Sequence, residues 1–463
     1  MSWHSELVGA SVIAFLFLAL FSGAELWRRF GKPKPETTRK LVHFGGGAIS
    51  LGLVYVVKSH LTVLALCIVF FLIISVTKRY GLLQSVHGVE RRSNGGIYFP
   101  IAVYVTFIFA SYLRQPHYYL ITILVLAVSD ALAALVGKTY GFKLYRVERE
   151  TRSVEGSIFF FLSSFLIVHL GLLLLTPLGR IESVLVALLI AILMTAFESI
   201  SLGGADNLFI PLGTLFMLSQ NTVKPAGSLL LQFVLLGGVA ILTWVICNRY
   251  KKFGSTGMVG LILLGYASWA MVDYSWYIPI LTGTLLIATT ELIIETPKNS
   301  AEVHRIQPVF YIAFAAFAWI FGANRAEHSV RYLFLTPYLT SITCHLSILW
   351  QWKSKFKLFN SDCRIPKNIC YSGTLGRALI LTVIFIPIQW IVNNKLNLIF
   401  SLVTVFVGTI LGDRLYWMIA RRHLTNWERL SFLRMGLGVV FTVAILIFVA
   451  NCWFYQASLI WIR

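Results

Sequence analysis

Long apolar runs alternate with short polar runs along the whole of the 463-residue chain. A helix that crosses a bilayer needs about 20 mostly apolar residues, and about sixteen windows of this sequence approach that length and composition. Hydrophobic residues make up 57% of the chain, charged residues 13%, and the mean hydropathy is +0.78. Because a single anchor cannot produce this pattern, we predict an all-α fold: a polytopic transmembrane helical bundle of about 14–16 helices.

The polar runs are basic: 39 lysines and arginines against 19 acidic residues give a formal net charge of +20. If the N-terminus lies outside and the apolar runs alternate, most basic residues fall in the inside loops, as the positive-inside rule requires. This placement predicts a multi-pass protein whose cytosolic loops meet membrane lipids or polyphosphates, and it disfavours nucleic acid as a partner. Six cysteines without a CxxC pair indicate neither a disulfide framework nor a zinc site.

Polar motifs within the apolar runs are concentrated before residue 225. We predict a first transmembrane domain over residues 1–225 that carries the chemistry, and a second transmembrane region over residues 226–463 without an assigned role. A lipid-access module, a dimerisation module that would make a homodimer, and a degenerate second domain all stay open for that region. Ionisable groups at the edge of hydrocarbon are costly and usually functional, so those of the first domain form the candidate site.

Basic residues at the predicted cytosolic face form the first candidate group. Arg39, Lys40 and His43 open the second apolar run, and Arg39 and His43 share a helix face because they are four residues apart. A positive-inside anchor explains the first two but not the histidine one turn deeper. Arg91 and Arg92 precede two glycines in "RRSNGG", where fixed charge and backbone N–H groups suit a phosphate; an ordinary basic loop is the alternative.

A carboxylate and a basic loop form the second group. Asp130 lies inside the apolar run "AVSDALAALVG", where a Mg²⁺ ligand or a base is favoured over a salt-bridge partner within the bundle. Lys138 and Arg152 follow and are candidates to neutralise a polyphosphate. Glu155 and Gly156 open the next helix, whose N-terminus favours anions.

Acidic and amide residues of "AFESISLGGADNLFIP" form the third group. Glu198 closes one predicted helix, and Asp206 and Asn207 open the next. Oxygen ligands of this kind suit Mg²⁺, and we assign Asp130, Glu198 and Asp206 to the metal. Helix capping is the alternative for Asp206 and Asn207, but it does not explain Glu198.

Acids for a metal, bases for phosphates and no nucleophile motif together indicate phosphoryl transfer, which depends on positioning and charge neutralisation. The chain has neither a Walker A sequence nor a protein-kinase glycine loop. Gly45, Gly46 and Gly47 lie within an apolar, helix-like run, and we interpret them as helix-packing residues.

Five short stretches between residues 36 and 220 resemble, in order and spacing, the dolichol kinase and phytol kinase family. They are "RKLVHFGGG" (39–47), "RRSNGGIYFP" (91–100), "SDALAALVGKTYG" (129–141), "RSVEGS" (152–157) and "ESISLGGADNLFIP" (198–211). The resemblance implies phosphorylation of a long-chain isoprenoid alcohol, typically with CTP, and nucleotide and Mg²⁺ contacts from Asp130, Lys138, Glu155, Asp206 and Asn207. This sequence has Arg152 where the family often has lysine, and Ser129 where many members have glycine.

The resulting hypothesis is a Mg²⁺-dependent membrane kinase that uses CTP or ATP and a lipid alcohol at the cytosolic face. His43 or Glu155 accepts the proton of the alcohol as general base, near Asp130. The expected nucleotide-binding residues are Arg39, Lys40, Arg91, Arg92, Lys138, Arg152, Gly156 and Asn207. The alternatives are a CDP-lipid synthase, which would release pyrophosphate, and a transporter or scramblase, which would show two related halves with polar groups at mid-membrane.

Overall fold

The computed structural model describes residues 3–88, 94–147, 150–250, 253–293, 306–327, 330–356, 373–388, 395–422 and 429–461. These residues are almost entirely helical, which confirms the prediction of an all-α membrane bundle. The chain divides into two compact units, Met1–Phe233 and Val234–Arg463. The division falls eight residues after the boundary expected from the polar motifs, because the helix that follows residue 225 continues across it.

The helices of the first unit, in chain order, are α1 Trp3–Gly31, α2 Pro35–Leu51, α3 Leu53–Val56, α4 His60–Arg79, α5 Gln84–His87, α6 Gly95–Tyr112, α7 Pro116–Leu124, α8 Asp130–Tyr140, α9 Val154–Leu175, α10 Arg180–Ile200 and α11 Asp206–Asn221. The helix α12, Ala226–Tyr250, leads into the second unit. The remaining helices are α13 Ser255–Met271, α14 Tyr274–Ile293, α15 Ile306–Arg325, α16 Tyr332–Phe356, α17 Thr374–Ile384, α18 Lys395–Arg422 and α19 Arg429–Trp461.

Ten helices in the described part of the chain are long and apolar enough to cross a bilayer. This confirms a polytopic protein, while the expected count of about 14–16 spans stays a prediction. The difference arises because several predicted spans fold as shorter helices. The helix α2 has 17 residues and α11 has 16, so length and composition alone do not place either across a membrane.

The first departure from helical structure is a two-stranded hairpin between α8 and α9. Strand β1, Leu144–Val147, pairs antiparallel with β2, Glu150–Ser153, and Tyr145 lies opposite Arg152. Side chains alternate between the two faces of a strand, so Glu150 and Arg152 lie on the same face of β2. The sequence predicted only a basic loop here, and the hairpin is what fixes the direction of Arg152.

The second departure lies between α7 and α8, where residues Val125–Ser129 form one π-helical turn. Single π-helical turns are commonly inserted at functional sites. The wider turn here immediately precedes Asp130, the first residue of α8. It therefore changes the direction in which the helix presents the carboxylate predicted to be functional.

Candidate functional site

A buried ion pair connects α2 with α8. Lys40 Nζ lies 2.5 Å from Asp130 Oδ2 and 3.3 Å from the Asp130 backbone carbonyl. His43 Nε2 lies 3.4 Å from the same carboxylate oxygen and 3.3 Å from the carbonyl of Leu126, which belongs to the π-helical turn. The side chains of Lys40 and Asp130 are only 17% and 15% exposed, so their charges depend on each other.

Close packing of α2 on the π-helical turn makes these contacts possible. A Cβ on Gly47 would lie 2.2 Å from Cβ of Ala127, so only glycine allows the two backbones to approach this closely. A Cβ on Gly45 would lie 2.8 Å from Leu20, whereas one on Gly46 would meet nothing nearer than 3.4 Å. The interpretation of these glycines as helix-packing residues is therefore confirmed for Gly45 and Gly47.

A second group of charges surrounds Arg152. Its guanidinium forms a very short ion pair with Glu198, lies 3.5 Å from Asp206 and 3.9 Å from Glu150, and donates to the Ser201 carbonyl at 3.0 Å. Glu198 and Asp206 are 7% and 8% exposed. The hairpin, the end of α10 and the start of α11 thus bring three carboxylates around one arginine.

The turn between α10 and α11 fixes this second group. Gly203 and Gly204 adopt left-handed φ values of +62° and +85°, a conformation that favours glycine. The N–H of Gly203 donates to Glu150 at 3.2 Å, and its carbonyl accepts from the N–H of Asn94 at 2.8 Å. The turn therefore ties β2 to the start of α6, and it orients Asp206 at the first residue of α11.

Arg39 lies between the two groups. Its guanidinium pairs with Glu36 at 2.5 Å. The negative charges of Asp130 and Asp206 also stabilise its positive charge. Arg39, His43 and Asn207 also line one cavity. Three of the predicted site residues, although far apart in sequence, thus line one cavity of the first unit.

The cavity has a polar end and an apolar interior. Lys78 and His87 join Arg39, His43 and Asn207 at the polar end, and the solvent-exposed Gly96 also lines the cavity. The interior is formed largely by apolar side chains of α1, α2, α4 and α6, among them Phe17, Phe70, Ile74 and Phe99. Such a shape suits a ligand with one polar end and a long apolar body.

Two prolines leave backbone acceptors at the polar end. Pro100 in α6 and Pro211 in α11 have no N–H, so the carbonyls of Gly96 and Asn207, four residues earlier, lack their usual helical donor. Both of these residues line the cavity. The sequences "YFP" and "FIP" belong to the motifs that carry the family resemblance, and the structure supplies a physical reason for each proline.

Three other predicted residues lie around α8 and α9. The carboxylate of Glu155 lies at the surface and accepts from the Lys143 N–H at 3.1 Å. Gly156 packs tightly on α8, and its N–H donates to the N-cap Ser153 at 3.1 Å. Lys138 is exposed near the end of α8. Packing accounts for the glycine, and the anion-binding role given to it stays a prediction.

Arg91 and Arg92 lie outside the described residues. The described chain ends at residue 88 and resumes at Asn94. Asn94 accepts from Lys78 Nζ at 2.6 Å and, through its N–H, contacts Gly203. The role of the two arginines in phosphate binding stays a prediction.

The three predicted metal ligands are not gathered around one point. Among the described residues no three His, Cys, Asp or Glu side chains form a metal-binding group. Asp130 is held by Lys40, whereas Glu198 and Asp206 both face Arg152. Glu198 and Asp206 offer carboxylate oxygens, the donors that Mg²⁺ prefers, and their assignment to this ion stays a prediction.

Sequence reasoning did not identify Glu150, Lys78 or His87. Glu150 could not be singled out in the charged stretch "RVERETRS", because its orientation depends on the hairpin. Lys78 has the sequence pattern of an ordinary inside-loop charge at the end of α4. Burial and the nearby charge of Lys78 lower the pKa of His87, whose ring nitrogen lies 3.1 Å from the hydroxyl of Thr77.

Comparison with known proteins gives one informative match. Over 192 residues the chain is 35% identical to a protein described as phytol kinase from Synechocystis sp., and the match covers 41% of this chain and 82% of that relative. The matched part is the N-terminal part of the chain, where both charged groups and the cavity lie. Neither a family model nor a solved structure matches the chain.

Proposed function

The chain belongs to the phytol kinase family, and on that premise we propose that it transfers a phosphoryl group from a nucleoside triphosphate to an isoprenoid alcohol. The observation that carries the proposal is that Arg39, His43 and Lys78 line the polar end of an apolar cavity. A lipid alcohol inside this cavity would present its hydroxyl to His43 and Arg39, beside the carboxylates of the second group. The site would face the cytosol, in line with the distribution of basic residues.

His43 is the general base in this proposal. It lines the cavity, and Asp130 is near enough to orient its ring and to stabilise the positive charge that it acquires with the proton. If Nε2 donates to Asp130 or to the Leu126 carbonyl, Nδ1 is the nitrogen left to accept the proton of the alcohol. Glu155, the other candidate base, is bound to the Lys143 backbone and does not line the cavity, so the geometry favours His43.

The cations and carboxylates around the polar end would hold the nucleotide. Arg39, Lys40 and Arg152, with Lys138, Arg91 and Arg92, are the proposed phosphate-binding residues, and Asn207 is proposed to contact the nucleotide. Glu198 and Asp206, with Glu150 beside them, would hold Mg²⁺, which neutralises phosphate charge during transfer. CTP is the donor implied by the resemblance, and ATP is the alternative.

The test uses the full-length protein, purified in detergent, with γ-labelled CTP or ATP, Mg²⁺ and phytol or geranylgeraniol. We expect label in a lipid phosphate and release of the nucleoside diphosphate. The His43→Ala variant should lose at least about 100-fold in kcat if this histidine is the base. The control is His60→Ala, which changes an exposed histidine at the start of α4 and should keep the wild-type kcat. Release of pyrophosphate would instead indicate a CDP-lipid synthase, and absence of any labelled lipid would refute the kinase proposal.

A further inference from the structure

The hairpin between α8 and α9 has two chemically different sides. Residues paired across antiparallel strands share a side, so Tyr145 and Arg152 project to one side, and Arg146 and Thr151 project to the other with Leu144. The side with Arg152 belongs to the candidate site and is buried or half-buried. The side with Leu144 and Arg146 is exposed, and no step of the proposed reaction uses it.

The inner side of the hairpin is fixed by contacts with the rest of the first unit. The hydroxyls of Tyr145 and Ser157 lie 2.8 Å apart, and Val147 is fully buried. Glu150 accepts from the N–H of Gly203 at 3.2 Å, in the turn before α11. Because these contacts determine which side faces the protein, the opposite side faces the surroundings of the hairpin.

The surroundings of the hairpin follow from its position between two membrane-spanning helices. Pro116–Tyr140 and Val154–Leu175 are both long and apolar enough to cross a bilayer. The N–H of Val154 donates to the Lys143 carbonyl at 2.9 Å, which closes the base of the hairpin at the ends of these spans. Four-residue strands extend about 13 Å, and each headgroup layer is about 5–8 Å thick, so the base of the hairpin lies at headgroup level.

Exposed apolar side chains extend the lipid-facing surface of α9 to the hairpin. Val154 and Ile158 are exposed one turn apart on α9. Leu144 lies opposite Ser153 at the base of the hairpin, next to the start of α9, and is 64% exposed. Phe142 is 88% exposed, and aromatic rings are enriched at the depth of the headgroups. The apolar surface that meets lipid on α9 therefore continues as far as Phe142 and Leu144.

Basic side chains alternate with these apolar side chains. Lys143 lies between Phe142 and Leu144, Arg146 shares the side of Leu144, and both basic residues are exposed. Glu155 is the acidic residue beside them, and its carboxylate accepts from the backbone N–H of Lys143. Apolar groups interleaved with cations at headgroup level are typical of surfaces that bind anionic lipids. Phe142, Lys143, Leu144 and Arg146 are called the outer surface of the hairpin below.

We propose that this outer surface binds anionic phospholipid headgroups of the cytosolic leaflet, and that the contact regulates the candidate site by fixing Arg152. A two-stranded hairpin alone is only marginally stable. Lipid bound to the outer surface would stabilise the same two strands that place Glu150 and Arg152 on the inner side. An anionic bilayer should therefore raise the activity. The regulatory part rests on the proposed function, whereas the binding of lipid does not.

The first experiment measures lipid binding without turnover. The full-length protein is placed in nanodiscs of phosphatidylcholine with increasing fractions of phosphatidylglycerol, and amide hydrogen exchange is followed in residues 144–147 and 150–153. Exchange there should slow as phosphatidylglycerol increases. Lys143→Gln and Arg146→Gln should each lower the apparent affinity for phosphatidylglycerol about fivefold, the contribution of one basic residue near an anionic surface. Lys58→Gln is the matched control, because this exposed lysine precedes the start of α4, at the other end of that helix from Lys78.

A second pair of variants tests the apolar part of the outer surface. Phe142→Ser should weaken the protection by phosphatidylglycerol, because the exposed ring no longer enters the headgroup layer. Tyr112→Ser is the matched control, since Tyr112 is 82% exposed at the end of α6, whereas the start of α6 lies at the polar end of the cavity. An equal response of Phe142→Ser and Tyr112→Ser to phosphatidylglycerol would remove the aromatic residue from the proposed surface.

The closing experiment measures lipid phosphate formation in the same nanodiscs. The kcat of the wild type should rise in parallel with the protection of the hairpin, and Lys143→Gln should need more phosphatidylglycerol than Lys58→Gln for the same rise. Protection without any lipid phosphate would support the lipid-binding surface and reject the kinase activity. Turnover with exchange that phosphatidylglycerol does not change, or with the same change in Lys143→Gln and Lys58→Gln, would overturn the surface. Protection with a constant kcat would overturn the regulation of the site.

Discussion

Removal of both charges of the Lys40–Asp130 pair should cost less stability than the two single removals added together. The two atoms are 2.5 Å apart, and each side chain is less than one fifth exposed, so solvent screens the pair weakly. Loss of one partner from a buried pair typically costs 3–5 kcal/mol, because the other charge stays buried without compensation. Asp130→Asn or Lys40→Met alone should therefore destabilise by about 3 kcal/mol, and the double variant should recover about 2 kcal/mol of the summed loss.

The double variant should regain part of the lost stability but none of the lost activity. At about 2–4 °C per kcal/mol for a unit of this size, each single variant should lower Tm by about 6–12 °C, and the double variant by clearly less than the sum. If Asp130 orients His43 for proton transfer, every variant without Asp130 should retain less than about 1% of kcat. A control is Asp413→Asn, which removes a more deeply buried acid paired with Arg377 at 3.1 Å in the second unit. The Asp413→Asn variant should have a lower Tm than the wild type, and its folded molecules should keep the wild-type kcat. Strictly additive effects on Tm, or full activity in the double variant, would refute the reasoning.

Three further outcomes are expected. Gly47→Ala should lower Tm sharply in thermal unfolding, whereas Gly46→Ala should not, since only the first introduces a Cβ that overlaps a neighbouring atom, the Cβ of Ala127. Arg152→Ala should leave the surrounding carboxylates without their cation, so Mg²⁺ should raise the Tm of this variant more than that of the wild type; equal shifts would reject the metal assignment. Burial and the charge of Lys78 lower the pKa of His87 in the folded protein, so the unfolded chain takes up the proton first. Stability should therefore fall as the pH drops below about 6.5, the ordinary histidine pKa, and His87→Gln should reduce that fall in a series of melts.

The sequence was sufficient to find charged residues but not their partners. The rule that an ionisable group within an apolar run has a function led to Asp130, Glu198 and His43. The same rule could not show that Lys40 binds Asp130, because this contact requires α2 to pack on the π-helical turn. Pairing between helices distant in sequence is set by tertiary packing, which short-range patterns do not encode.

Local backbone geometry explains the other differences. The stretch that forms the hairpin is rich in charge and poor in the alternation typical of a half-buried strand, so its pairing, and with it the position of Glu150, was not predictable. The π-helical turn differs from an α-helix by one residue per turn, and the apolar run "VLAVS" gives no sign of it. Gly203 and Gly204 differ from these two cases, since a glycine pair between two predicted helices is a recognisable sequence signal for a turn with left-handed backbone.

The cations assigned to phosphate binding are already paired in the structure. Arg39 is held by Glu36, Lys40 by Asp130 and Arg152 by Glu198. If the proposed kinase reaction is correct, phosphate oxygens would compete with these carboxylates for the N–H donors of the three cations. Where a phosphate displaced a carboxylate, Glu198 would be available to hold Mg²⁺, and Asp130 would be available to stabilise the imidazolium of His43 after proton transfer. Binding of the nucleotide would therefore be coupled to formation of the metal site and to the readiness of His43 to act as the base. The nucleotide without Mg²⁺, or Mg²⁺ without the nucleotide, should bind weakly.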